Sequence, residues 1–213
     1  MHPANPAGHK QVYLRDLETG VTDLISKTIN GVYSNGENAP MAVSNDGNEV
    51  VFISSSPYLV PNDTNGKLDL FVRNRLLATT ERINVGTQGQ QANDQTSAVR
   101  GCMSGDGRLV VFTSQANNLI ANDTDTNYDI FLRDRLLGTT IRITNGHLGT
   151  GASDPSFDPM ISRNGDFVVF DSNAVDLVPY DFNNKKDCFL WNRHSGLTER
   201  ISLNEFDFEV NGN

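Results

Sequence analysis

The chain repeats itself. Residues 62–83, NDTNGKLDLFVRNRLLATTERI, align without gaps on residues 122–143, NDTDTNYDIFLRDRLLGTTIRI, at an offset of 60. The same offset carries SNDGNEVVFISS (44–55) onto SGDGRLVVFTSQ (104–115). A further 58 positions reach SRNGDFVVFDSN (162–173) and YDFNNKKDCFLWNRHSGLTERI (180–201). In the other direction a shift of 58 finds only VYLRDLETGVTDLI (12–25), so the chain holds three full copies preceded by a half copy. Such a period means one small supersecondary unit, stacked so that neighbours bury each other's apolar faces.

Each full copy reads as four short strands. A first strand (APMAVS, SAVRGCMS or FDPMIS) runs into Asp46-Gly47, Asp106-Gly107 or Asn164-Gly165. These pairs accept positive φ and predict a hairpin. The second strand is EVVFIS, LVVFTS or FVVFDS, whose adjacent apolar residues predict a strand covered on both faces. The third (LDLFVRN, YDIFLRD, DCFLWNR) and fourth (TTERINV, TTIRITN, LTERISL) follow across a short turn. Four antiparallel strands repeated radially describe an all-β propeller built of four-stranded blades, three full repeats plus a half-blade. A β-sandwich has no need of the repeat or of its recurring turn. The expected organisation is an N-terminal tail over 1–10, a half-blade over 11–29, blades over 38–85, 97–144 and 157–203, and a C-terminal segment over 204–213.

The motifs themselves carry a resemblance. SNDG (44–47) followed by VVF, then LVPNDTN (59–65), DIFLRD (129–134) and TTERI (79–83), resemble the TolB-type, WD-like propeller repeats of bacteria, over residues 11–203. That resemblance implies the propeller fold, a binding role and a periplasmic or secreted setting. The N-terminus MHPANPAGHK lacks the charged-then-apolar pattern of a signal peptide, so localisation is left open. The first copy begins at a third strand, and the last residues align with a loop. Three readings follow: the chain is a slice of a longer repeat protein, EFDFEV (205–210) adds as a strand to the half-blade, or two chains pair as a homodimer whose partial blades complete each other. The last two are favoured, because an open arc exposes blade faces and strand edges.

Composition narrows the function. Asp and Glu total 26 against 17 Lys and Arg, a net charge of −9 that disfavours a nucleic-acid partner. No apolar run approaches the ~20 residues of a membrane span. Cys102 and Cys188 read as small buried hydrophobes.

Three acidic loops recur between second and third strands: Asp63, Asn65 and Asp69; Asp123, Asp125 and Asp129; Asp181, Asn183 and Asp187. Their side-chain oxygens suit calcium, with the all-carboxylate middle copy favoured. The same residues also suit Asx-turns leading into a strand. The spacing is not that of an EF-hand. Recurring Arg15, Arg73 and Arg133, and Arg82, Arg142 and Arg200, are expected to pair with carboxylates, the acidic loops among them. Long polar loops at 30–39, 85–94 and 145–154 emerge on the same side as the acidic loops. No nucleophile elbow or phosphate loop is present, and none of the four histidines recurs. The leading expectation is a non-catalytic binding scaffold presenting loops to a protein or glycan partner, with calcium as its one candidate cofactor. The alternative is a propeller-type carbohydrate-active enzyme, lyase or hydrolase, or part of one.

Overall fold

A computed structural model describes residues 8–205. Its strands are β1 (Tyr13–Arg15), β2 (Thr22–Leu24), β3 (Asn38–Val43), β4 (Glu49–Ser54), β5 (Asp69–Asn74), β6 (Thr79–Arg82) and β7 (Thr96–Ser97). They continue as β8 (Leu109–Ser114), β9 (Asp129–Asp134), β10 (Thr139–Arg142), β11 (Ser156–Ile161), β12 (Phe167–Ser172), β13 (Asp187–Asn192) and β14 (Thr198–Arg200). Three four-stranded antiparallel sheets follow chain order, β3 to β6, β7 to β10 and β11 to β14, and β1 pairs with β2 alone. These are propeller blades and a half-blade. The candidate ring-closing strand at 205–210 lies, apart from Glu205, outside the described residues.

Register explains the repeat. Second and third strands pair so that Phe52 faces Phe71, Phe112 faces Phe131 and Phe170 faces Phe189. In each blade the two rings stack at 5.7 Å between centroids, fully or almost fully buried. Each such pair contributes about 0.5–1.5 kcal/mol beyond its burial. The glycine of each first turn takes positive φ (Gly47 70°, Gly107 75°, Gly165 78°), but the turn is longer than a two-residue hairpin. A serine closes it. Ser44 Oγ donates to Asp46 at 2.5 Å and accepts the Glu49 amide at 2.9 Å. Ser104 and Ser162 repeat the device.

One apolar cluster runs through all three full blades, and a second joins the half-blade to the blade after it. β4 and β8 are buried along almost their whole length, as unbroken apolar runs require. β12 differs, because its burial alternates and leaves Phe167 exposed and Val169 half-buried. No further blade covers that face among the described residues. Cys188 lies on it and is exposed, correcting the expectation that both cysteines are buried; Cys102 is buried. Trp191 packs into the core.

Candidate functional site

The nine residues of the acidic loops assemble into three equivalent corners, one per full blade, and an arginine fills each. The fourth strand hydrogen-bonds beside the third, so its last residue lies against the loop that feeds the third strand. In the first corner Arg82 sits 2.9 Å from Asp63 and 3.2 Å from Asp69. In the second Arg142 lies 3.1 Å from Asp123 and 3.2 Å from Asp129. In the third Arg200 lies 3.0 Å from Asp181 and 3.6 Å from Asp187. All of these side chains are 9% exposed or less. A buried carboxylate needs a partner charge and donors. The guanidinium supplies the first, and the residue two places beyond it adds a donor. Asn84 donates to Asp69 at 2.6 Å, Thr144 to Asp129 at 2.6 Å and Ser202 to Asp187 at 2.5 Å.

The half-blade serves as an internal control. Offsets place Gln11 where the other copies have Asp69, Asp129 and Asp187, and Leu24 where they have Arg82, Arg142 and Arg200. The acid and the arginine are thus absent together. Gln11 accepts the Ser26 hydroxyl at 2.7 Å, and a neutral network replaces the ionic one.

The central residue of each loop makes the corners unequal. Asn65 donates to Asp69 at 2.9 Å, and Asn183 donates to Asp187 at 2.9 Å. Each also accepts an amide two residues on, as an Asx-turn does. Asp125 accepts the Asn127 amide at 2.9 Å but, when ionised, has no proton to give Asp129. The middle corner therefore sets three carboxylates against one guanidinium, with ligand oxygens all within 4.8 Å of one another. Burial pushes Asp129 up to about 6; the Thr144 hydrogen bond and Arg142 oppose this, and Asp125 and Asp123 reinforce it. Burial also raises Asp123 and Asp63, each against the pull of its arginine.

Antiparallel alternation places the acidic loops and the blade-to-blade loops at one end of the sheets. There they are stitched together. Asn65 donates to the Ala92 carbonyl at 3.2 Å, and Lys67 pairs with Asp94 at 3.0 Å. Gln90 reaches the Asn118 carbonyl of the next blade at 2.8 Å. The Asp176 carboxylate accepts the Ser153 amide at 2.8 Å. The long loops are thus built into a continuous rim. Exposed apolar side chains stand on it: Ile29, Val32, Tyr58, Leu148, Tyr180 and Phe182. Tyr180 and Phe182 are 80% and 75% exposed, with ring centroids 6.2 Å apart. Tyr180 holds φ 64°, a left-handed conformation that Asn62 and Asn122 adopt in the sister loops. Asparagine tolerates it; an aromatic residue there is strained.

The opposite end carries features that the sequence reading passed over. Leu76, Leu77, Leu136, Leu137 and Leu197 are exposed in the turns between third and fourth strands. The arginine opening each turn crosses to a neighbour or to the first turn of its own blade. Arg75 reaches Asp23 at 2.6 Å, Arg135 reaches Glu49 at 3.0 Å and also Glu81, and Arg193 reaches Asp166 at 3.3 Å. The repeated Arg-Leu-Leu at 75–77 and 135–137 was the available signal.

No protein-family model matches the chain, and no curated protein matches it significantly. Solved structures do. A putative TolB from Agrobacterium tumefaciens matches with a TM-score of 0.53 at 18% identity, over 92% of this chain and 57% of its own. The β-propeller domain of the Trilobed protease from Pyrococcus furiosus matches at 0.53 and 13% identity, over 90% of this chain and 48% of its own. An oligogalacturonate lyase in complex with manganese matches at 0.51 and 9% identity, over 90% and 46%. The fold is that of a β-propeller. A TolB is among the solved structures it is similar to, and the chain spans about half the length of these structures.

Proposed function

We propose that this chain is a non-catalytic binding module that offers the loop rim to a protein partner. The observation that carries this is the Tyr180–Phe182 pair. The sister loops place Asn62 and Thr64, or Asn122 and Thr124, at the same positions, so the fold has no need of aromatics there. Exposed aromatics held on a rigid scaffold are a common form of interface anchor. The groove where the first strands of the three blades meet supports the same reading. Its lining is Ala42, Val43, Asn45, Gly101, Met103, Gly105, Ile161 and Arg163, with neither a carboxylate nor a histidine.

The sister residues supply the test. A Tyr180→Asn, Phe182→Thr double variant is expected to melt no lower than the parent, and to gain about 1 kcal/mol from relief of left-handed strain. A photo-crosslinker at position 182 is expected to capture a discrete protein partner, and the double variant to lose affinity for it by at least about tenfold. Equal capture from a control position in β6, or undiminished affinity, would overturn the assignment.

We propose calcium for the middle corner alone. In the first and third corners one guanidinium and an asparagine donor face two acids, whereas in the middle corner Asp125 puts a third carboxylate in the asparagine's place. Millimolar calcium is expected to raise the melting temperature relative to chelator, by as much as the equivalent of about 2.7 kcal/mol at a hundredfold excess over Kd. Asp125→Asn is expected to abolish the shift. Identical melts of the parent in calcium and in chelator would end this proposal.

A further inference from the structure

A groove of about 580 Å³ opens where the loop after the half-blade meets β6, the edge strand of the next sheet. Its walls include Lys27 and Asn30 from that loop, Leu59, and Arg73, Thr79 and Thr80 from β5 and β6. The volume suits a small molecule. None of the residues that line it is acidic, in a chain whose net charge is −9.

Arg73 departs from the expected pairing with a carboxylate. Its guanidinium is half-buried, and Nη1 donates to the Thr80 hydroxyl at 3.0 Å. Among the described residues no acid pairs with it or with Lys27. Burial lowers the Arg73 pKa with no neighbouring charge to oppose the shift, whereas Glu81 and Asp134 oppose it at Arg133. A partly desolvated cation without a counter-charge favours an anion beside it.

The next interface shows what else such a groove takes. A groove of about 430 Å³ lies at the same place between the first and second full blades, with Thr87, Leu119 and Thr140 on its walls. There Thr87 Oγ1 accepts the Thr140 amide at 3.0 Å and donates to the Thr140 carbonyl at 3.3 Å. Thr140 pairs opposite Arg133 as Thr80 pairs opposite Arg73, so Thr80 turns the same amide and carbonyl outward. A shift of 58 puts Ile29 in the place of Thr87, and the matching bridges Lys27–Tyr33 and Val85–Gln91 support that alignment. Isoleucine has no hydroxyl to offer, and Ile29 is 61% exposed. The first groove thus keeps the arginine and lacks the hydroxyl. In the last blade Trp191 stands in the arginine's place.

We propose that this groove binds a small hydroxy-carboxylic acid. The ligand's carboxylate takes the guanidinium donors that Thr80 leaves unused, a geometry arginine suits, and Lys27 adds charge from the loop. The ligand's hydroxyl bridges the Thr80 amide and carbonyl, as Thr87 does at Thr140. The site needs neither the Tyr180–Phe182 pair nor the middle corner.

Gluconate titrated into the full chain at neutral pH, followed by amide chemical shifts, tests this. Saturable shifts are expected at residues 27–31 and 78–80. Sorbitol, which lacks the carboxylate, and hexanoate, which lacks the hydroxyls, are each expected to bind about tenfold or more weakly. Arg73→Gln is expected to weaken gluconate by a similar factor. Ile29→Thr is expected to do the same by supplying the hydroxyl internally, and the sister interface already carries that residue. Absence of saturable shifts in the parent overturns the proposal, as does undiminished affinity in either variant. Inorganic sulfate binding as tightly as gluconate overturns it in favour of a bare anion site.

Discussion

An Arg82→Leu variant is expected to lose about 3–5 kcal/mol of stability, because it removes one member of a buried ionic cluster and strands the others. Asp63 and Asp69 have side chains only 6% and 0% exposed, and Asp69 retains only its asparagine donors once the guanidinium is gone. The loss is not one of shape. Leu24 occupies the corresponding place in the half-blade and sits buried there, where Gln11 stands in the place of the acid. Urea unfolding of the parent and the variant at neutral pH measures the difference. A loss below about 1 kcal/mol would mean that water or alternative donors satisfy the two acids as well as arginine does.

The middle corner is expected to give the chain an unusual pH response. Asp129 lies at about 6, above the usual carboxylate value, so the folded state holds its proton more tightly than the unfolded state. Its contribution is then most favourable below the unfolded value of ~3.9 and is lost as pH rises through about 6, on the order of 3 kcal/mol in all. Carboxylates such as Asp106 and Asp134 run the other way. Hydrogen bonds hold them low, and the stability they provide is lost on acidification. The informative quantity is therefore the difference between the parent and Asp125→Asn. The amide removes a charge beside Asp129 and supplies the donor that Asn65 and Asn183 give in the sister corners. In chelator the variant is expected to be more stable than the parent by about 1–2 kcal/mol at pH 7.5, and by less at pH 4.5. A constant difference across that range would show that Asp125 does not act through charge.

Much of the architecture was legible because the repeats carry it. The Val-Val-Phe strands, the Asp-Gly or Asn-Gly turns and the offsets of 60 and 58 residues indicate strand number, order and pairing. The corners were legible as a set, and an Arg–acid pairing was among the expectations. That each arginine would insert between two loop acids was not, since strand pairing brings residue 82 beside residues 63 and 69 only once the blade is folded. The joint replacement by Gln11 and Leu24 was already in the aligned copies. Cys188 misled for a different reason. Its strand has the composition of a buried one, but burial depends on a neighbouring blade, and none covers that face among the described residues. The exposed leucines of the third turns escaped notice because a Leu-Leu pair at a strand end looks like strand.

The central claim is that the recurring acidic corners are held by buried arginine. A double-mutant cycle of Arg82→Leu and Asp69→Gln, the pair that the half-blade already uses, tests it most directly. The account predicts that the double variant loses at least about 2 kcal/mol less than the sum of the two single losses. Additivity within about 0.5 kcal/mol would contradict it.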